Sequence, residues 1–432
     1  MSSVAEVKLW GTTIGAVALA DGETVATFQY DPVFLRSGIE VAPLTMPLSE
    51  RVYQFPMLAQ ESFQGLPGLL SDSLPDRFGN ALIDAWLSTQ GRRRESFNAI
   101  ERLCYTGKRG MGALEFEPVV GPSEQVTQPI QVDQLVALAS AVLQARDGLQ
   151  TSFAEGEKAG ALQDILRVGT SAGGARAKAL IAWHPETNEV RSGQIQAGDG
   201  FEYWLLKFDG VLANRDKELN DPQGYGVIEY AYHRMAVAAG ITMQPCRLLK
   251  ENGRRHFMTK RFDRLPNGDK LHMQSLGALA HFDFNQAGAY SYEQTLQVIR
   301  QIGLPMIDVE ALYRRMVFNI LARNQDDHVK NIAFLMDRRG QWSLAPAFDV
   351  IYSYQPTGQW TSTHQMTLNG KRDDFTWDDF QSWAKLASLK RGRAKVIFDE
   401  VHQVVQQWPE LADEAGVLPA QRDKITATLR RV

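Results

Sequence analysis

Residues 324–349 read NQDDHVKNIAFLMDRRGQWSLAPAFD, and this stretch decides how the rest of the chain is understood. Asp326 and Asn331 stand five residues apart, and a second carboxylate follows at Asp349. Phosphoryl transfer of the protein-kinase type needs this set. One carboxylate accepts the proton of an attacking hydroxyl, while an amide oxygen and a second carboxylate give hard oxygen ligands to Mg²⁺. Residues 332–336 are apolar, 337–340 (DRRG) carry a turn signal, and 341–345 can return as a second strand. Such a hairpin would bring Asp349 back beside Asn331. The spacing also separates two adjacent acids: Asp326 lies five residues before Asn331 and Asp327 only four, so Asp326 is the candidate base. The plainer alternative is a solvated polar loop ahead of a surface hairpin.

At 432 residues the chain can hold two or three domains, each with its own core. Its 44% apolar and 22% charged residues are ordinary for a globular protein, and a net charge of −4 argues against coating nucleic acid by bulk charge. Cys104 and Cys246 are too few for a disulfide framework or a zinc site, which suits a reducing cytosol. No basic-then-apolar signal opens the chain and no apolar run approaches about 20 residues, so a cytoplasmic protein without a membrane partner is expected.

Residues 1–120 read as a small α/β unit. Short strands are expected at 7–10, 16–20 and 24–30, and an amphipathic helix follows SLPDRFGN (73–80). Arg92-Arg93-Arg94 reads as a solvated face, and GKRGMG (107–112) lacks the spacing of a phosphate loop and reads as a tight turn. Residues 121–129 are polar with a proline near each end, a linker, and 132–143 read as one helix.

VGTSAGGARAK (168–178) combines small residues with one serine, so its backbone N–H groups can approach and cradle phosphates, with Arg176 and Lys178 adding positive charge. A surface turn before a strand has the same composition. FEYWLLKF (201–208) is a strand with Tyr203, Leu205 and Lys207 on one face and Trp204, Leu206 and Phe208 on the other. One lysine on an apolar strand fits a phosphate contact, and Glu229, in a helix expected over 225–239, could hold it. FMTKRFDR (257–264) falls where two lobes would join and backbone would meet adenine. Helices at 377–389 and 396–408 fit a helical C-terminal lobe.

Together, GTSAGGARAK, LLKF, KRFDR, DDHVKN, PAFD and LNGKRD (368–373) resemble the HipA family of bacterial toxin kinases, and SLPDRFGN resembles that family's accessory subdomain. The resemblance implies an α+β, bilobal kinase-like fold: an accessory subdomain over 1–120, an N-lobe over 129–259 and a helical C-lobe over 260–432. It implies an ATP- and Mg²⁺-dependent Ser/Thr protein kinase that arrests growth and is neutralised by a small helix-turn-helix, HipB-like antitoxin. Operator DNA is reached through the antitoxin, and the implied target is an aminoacyl-tRNA synthetase such as glutamyl-tRNA synthetase. By motif, Asp326 is the base, and Asn331 and Asp349 hold Mg²⁺. The ATP-binding set is Ser171, Ala172, Gly173, Gly174, Ala175, Arg176, Ala177, Lys178, Lys207, Lys260, Arg261, Phe262, Asp263, His328, Lys330 and Phe348. Ser171 matches the family's autophosphorylated serine, where a phosphate would bring about −1.5 to −2 charge into a loop shaped for ATP's own phosphates.

In one departure, Lys260 stands where the family has an acidic residue before Arg-Phe-Asp-Arg; adenine contacts there are mainly backbone, so ATP binding should survive. A catalytically weak kinase-fold scaffold that acts as co-repressor is the rival from another class. In that reading the basic run at 390–393 (KRGR) touches DNA phosphates instead of forming a solvated face. A small-molecule or lipid kinase shares the Asp-x-x-x-x-Asn logic.

Overall fold

In β1 (Ser3–Leu9), Ala5, Val7 and Leu9 turn inward and their neighbours outward, the period of two that one buried sheet face demands. The computed structural model describes residues 3–120, 129–144, 176–194, 197–211, 215–216, 219–220, 224–265 and 267–432. The N-terminal sheet is antiparallel in the order β3-β2-β1-β4, with β2 (Thr12–Leu19), β3 (Thr27–Tyr30) and β4 (Leu114–Glu117). The strands expected at 7–10, 16–20 and 24–30 are the first three of these. The fourth returns after α1 (Gln60–Phe63), α2 (Gly68–Ser71), α3 (Arg77–Thr89) and α4 (Ala99–Thr106). Asp76 starts α3 by accepting from the Gly79 N–H at 2.7 Å, and Asn98 and Glu101 form a reciprocal capping box on α4.

A second, five-stranded antiparallel sheet runs β10-β11-β7-β5-β6: β5 (Lys178–Trp183), β6 (Val190–Ser192), β7 (Glu202–Lys207), β10 (Cys246–Glu251) and β11 (Arg254–Lys260). A two-stranded ribbon, β8 (Arg215–Asp216) with β9 (Leu219–Asn220), precedes α6 (Tyr225–Ala238). Trp204 and Leu206 of β7 are buried in one apolar cluster with α3 and with α5 (Val132–Gln144), so Lys207 faces the opposite side of the sheet. Helix α3 precedes the 120/129 boundary read from the sequence, yet it completes the core of the second sheet.

The third core belongs to α6 together with α7 (Leu276–Ala280), α8 (Tyr292–Gln301), α9 (Met306–Leu321), α10 (Trp377–Leu386), α11 (Arg393–Gln406), α12 (Trp408–Ala415) and α13 (Pro419–Thr426). The helices expected at 377–389 and 396–408 correspond to α10 and α11. A small sheet, β12 (His272–Ser275), β13 (Ala333–Met336) and β14 (Trp342–Leu344), stands among them and contains the expected hairpin. Among the described residues no helix is long and apolar enough to cross a membrane.

The N-terminal unit docks on this small sheet. Met336 and Trp342 belong to its apolar cluster, the Trp10 indole donates to Lys270 O at 2.7 Å, and Asp72 accepts from the Ser275 N–H at 2.6 Å. Buried charge closes the same junction. Asp263 accepts from Arg261 at 2.8 Å, from Arg264 at 2.7 Å and from the Gly112 N–H at 2.7 Å, while both arginines donate to Gly110 O. Burial pushes the Asp263 carboxyl up, but the two guanidinium groups outweigh it and hold it well below the usual range. The GKRGMG turn is thus a seat for these arginines. Gly112 has φ 76°, and a Cβ there would lie 3.0 Å from Met273 N.

Candidate active site

Lys207 ends β7 at the centre of its sheet, and its ammonium is gripped by two carboxylates. It donates to Glu229 Oε1 of α6 at 2.5 Å and to Asp349 Oδ1 from the loop beyond β14. Burial alone would lower the lysine's pKa, yet Asp349 and Glu229 outweigh it and the net shift is upward. For Asp349, burial pushes the carboxyl up, while Lys207, then Lys178 and Arg176, hold it well below the usual carboxylate range. Glu229 goes the other way: its burial outweighs Lys207 and raises it. Asp349 has φ 55°, the left-handed region that a non-glycine residue enters at an order of 1 kcal/mol.

Arg176 lies 3.9 Å over the Tyr225 ring at the start of α6, with Nη1 4.0 Å from Glu229. Ala177 is buried, and its carbonyl accepts from the Phe208 N–H at 3.1 Å. Lys178 is in register with Lys207 across β5 and β7, and its ammonium is 3.3 Å from Asp76, the cap of α3. Ser171, Ala172, Gly173, Gly174 and Ala175 lie outside the described residues.

The loop after α9 carries Asp326. Its N–H donates to Ser353 Oγ at 2.9 Å, and its carbonyl accepts from Asn331 Nδ2 at 2.8 Å, an internal bond that sets the five-residue turn. Asp326 keeps a fifth of its side chain exposed, with His328 Nε2 3.9 Å away. Asp327 is buried, and its carboxylate accepts from the Tyr292 hydroxyl at 2.7 Å, His364 Nδ1 at 2.9 Å and the Gln365 N–H at 2.8 Å. Phe262 and Phe348 pack together at 5.5 Å where the lobes join.

The structure therefore gathers Arg176, Lys178, Lys207 and Asp349 in one cluster, puts Asp326, His328 and Asn331 on one loop, and pairs Phe262 with Phe348. Other residues of the expected set point elsewhere. Lys260 pairs with Glu202 at 2.7 Å on a half-exposed part of the sheet, and Lys330 lies 4.5 Å over the Phe284 ring. The side chains of Arg261 and Asp263 are spent on the junction with the N-terminal unit, so this segment can meet a ligand only through its backbone and Phe262. Sequence reasoning missed Asp76 and Trp360, and gave Asp327, which it set aside as the base, no role of its own. Only Asp76 had a signal, its place as a helix cap in SLPDRFGN.

An antiparallel sheet whose central lysine is held by a helix glutamate and by an aspartate from a largely helical second lobe defines an α+β, kinase-like fold. The chain belongs to the HipA family: residues 170–408 match the HipA-like C-terminal domain and residues 5–117 the HipA N-terminal domain. It is similar over 98% of its length, and over 94% of the other chain, to a structure of the Shewanella oneidensis MR-1 toxin–antitoxin system HipA, HipB and operator DNA complex, with a TM-score of 0.66 at 15% identity. It is 28% identical over 127 residues to a Sinorhizobium fredii protein named "Putative kinase Y4mE". That match spans 27% of this chain and 30% of the relative.

Proposed function

We propose that this chain is the kinase of a toxin–antitoxin pair, transferring the γ-phosphoryl group of ATP to a serine or threonine hydroxyl of a protein. The observation that carries the reading is the grip on Lys207 by Glu229 of α6 and Asp349 of the loop beyond β14, with Asp326 on the adjoining loop. The acceptor oxygen attacks the γ-phosphorus and gives its proton to the Asp326 carboxylate. The bond from that phosphorus to the bridging oxygen breaks, and ADP leaves with the electron pair. Lys207, Lys178 and Arg176 neutralise the phosphates. Backbone at 260–262 with Phe262 and Phe348 adjoins the adenine.

The residues present fit a Mg²⁺ ion. Asn331 spends its amide N–H on Asp326 O, leaving Oδ1 as an acceptor, and Asp349 places one oxygen on Lys207 and keeps the second. Two hard oxygens suit an ion that completes its shell with phosphate and water. Bound there, it would neutralise charge on the phosphates.

The fold shared with the Shewanella HipA supports a small helix-turn-helix, HipB-like antitoxin as partner, with operator DNA reached through it. Ser171 is the proposed site of self-silencing, and an aminoacyl-tRNA synthetase is the acceptor to test first. The test is incubation with γ-labelled ATP, Mg²⁺ and a panel of purified synthetases. Wild type should label itself or one synthetase, with intact mass showing one added phosphate and peptide mapping assigning it to Ser171. Asp326→Asn should transfer about 10²–10⁴-fold more slowly while still binding nucleotide. Equal labelling by both proteins, or none by wild type, overturns the reading.

A further inference from the structure

Beyond Asp349 the chain folds back over the Asp326 loop, and residues 360–366 are strapped down onto it. Asp327 supplies most of the strap. Its Oδ1 accepts from the N–H groups of Gln365 at 2.8 Å and Met366 at 3.4 Å, and its Oδ2 takes His364 Nδ1 at 2.9 Å. Gln325 Nε2 donates to Thr361 O at 3.1 Å, and the Gln365 side-chain amide donates to Trp360 O. Thr361, His364, Gln365 and Met366 are all buried, so the segment is held along its length. At its start the Trp360 indole Nε1 donates to Asp326 Oδ1 at 3.2 Å.

We propose that Trp360 is a positioning residue for phosphoryl transfer: its N–H donates to Asp326 Oδ1 and so restricts the direction in which that carboxylate meets the acceptor hydroxyl. The inference rests on the reading of Asp326 as the base and adds to it the group that aims that base. An indole N–H can only donate, so it does not compete with Asp326 for the role of proton recipient. His328 Nε2, at 3.9 Å from the same oxygen, is beyond hydrogen-bonding distance and does not duplicate it. The strap makes the aim steep, because Trp360 O and Thr361 O are both anchored to side chains beside the site and the indole cannot follow a wandering carboxylate.

Trp360→Phe tests this by removing the N–H while keeping an aromatic ring over the loop. The readouts are Mg²⁺-ATP affinity by titration and steady-state turnover of ATP, to protein acceptor or to water. A loose base is slow and does not weaken nucleotide binding, so kcat should fall about tenfold with KM for ATP within about twofold. In the Asp326→Asn background the same substitution should cost nothing further, since Trp360 acts through that carboxylate. Unchanged kcat, a rise in KM alone, or an equal loss in both backgrounds overturns the proposal and leaves the kinase reading standing. A wild-type chain that binds Mg²⁺-ATP and transfers to neither protein nor water overturns both.

Discussion

Asp326 and Asp327 are the same residue type side by side, and their surroundings give them opposite tasks. Asp327 is buried, with the lone pairs of both oxygens met by a phenol, an imidazole and backbone N–H groups, so it is a fastener. Asn at 327 keeps one acceptor oxygen but turns an NH₂ toward Tyr292 and His364. Asp327→Asn should therefore cost about 2 kcal/mol, read as a lower urea midpoint at unchanged slope. Turnover should fall with it as the strap loosens, whereas Asp326→Asn leaves the midpoint nearly where it was. The spacing to Asn331 already set the two apart in the sequence, and the Asn331-to-Asp326 bond closes a turn of that length. Trp360 was not legible: it lies 34 residues from its partner, and no spacing rule links an indole to a carboxylate. Composition also misleads at KRFDR, since charges that face one another across a buried junction spell the same letters as charges that face a nucleotide.

At the scale of elements, alternation in β7 told which face would carry Lys207, and the short apolar runs marked β1 to β3. Strand β4 escaped notice because its four residues (LEFE) acquire meaning only by pairing with β1, from the far side of four helices. The role of the 107–112 turn escaped for a related reason: what it seats comes from residues 261–264. That seat can be tested. Asp263→Asn leaves Arg261 and Arg264 buried with no full counter-charge, a loss of about 3–5 kcal/mol. We expect it to surface as faster proteolysis at the junction of the N-terminal unit and as a lower unfolding midpoint, with Lys207→Met as a control that leaves the junction intact.

Across the whole molecule, the docking of the N-terminal unit depends on histidines kept neutral. Burial depresses His272 from 6.5 to about 4, only partly opposed by a backbone hydrogen bond to Val41, and burial depresses His281 likewise to about 4. His281 Nε2 accepts from the Gly68 N–H at 3.0 Å, which only the neutral ring can do. The unfolded chain binds protons at both residues below pH 6.5 while the folded chain resists until about 4, so stability is full above 6.5 and falls as pH drops through that window. For the fully buried His272 this amounts to about 3 kcal/mol by pH 4. Asp263, held well below its ordinary 3.8, should add a further loss below that value as it is protonated. Thermal unfolding followed between pH 7 and pH 4 should show this decline, and replacing His272 with Gln should flatten it. Read from sequence, the chain divides into three regions, whereas among the described residues the apolar side chains form three large clusters and one small one whose membership crosses those bounds: α3 serves the second sheet, and the β13–β14 hairpin serves the first.

That last arrangement sets the order in which the protein can be made. Met336 and Trp342 complete the core around β1–β4, yet Met336 leaves the ribosome about 220 residues after β4, roughly 10–40 s later at common synthesis rates. For that interval the newborn N-terminal unit has an open apolar face, and a chaperone or a slow exit has something to hold. The same synthesis step that covers this face also delivers Asp326 and Asn331, only a few residues earlier. The N-terminal unit is therefore completed only after the Asp326 loop has been made.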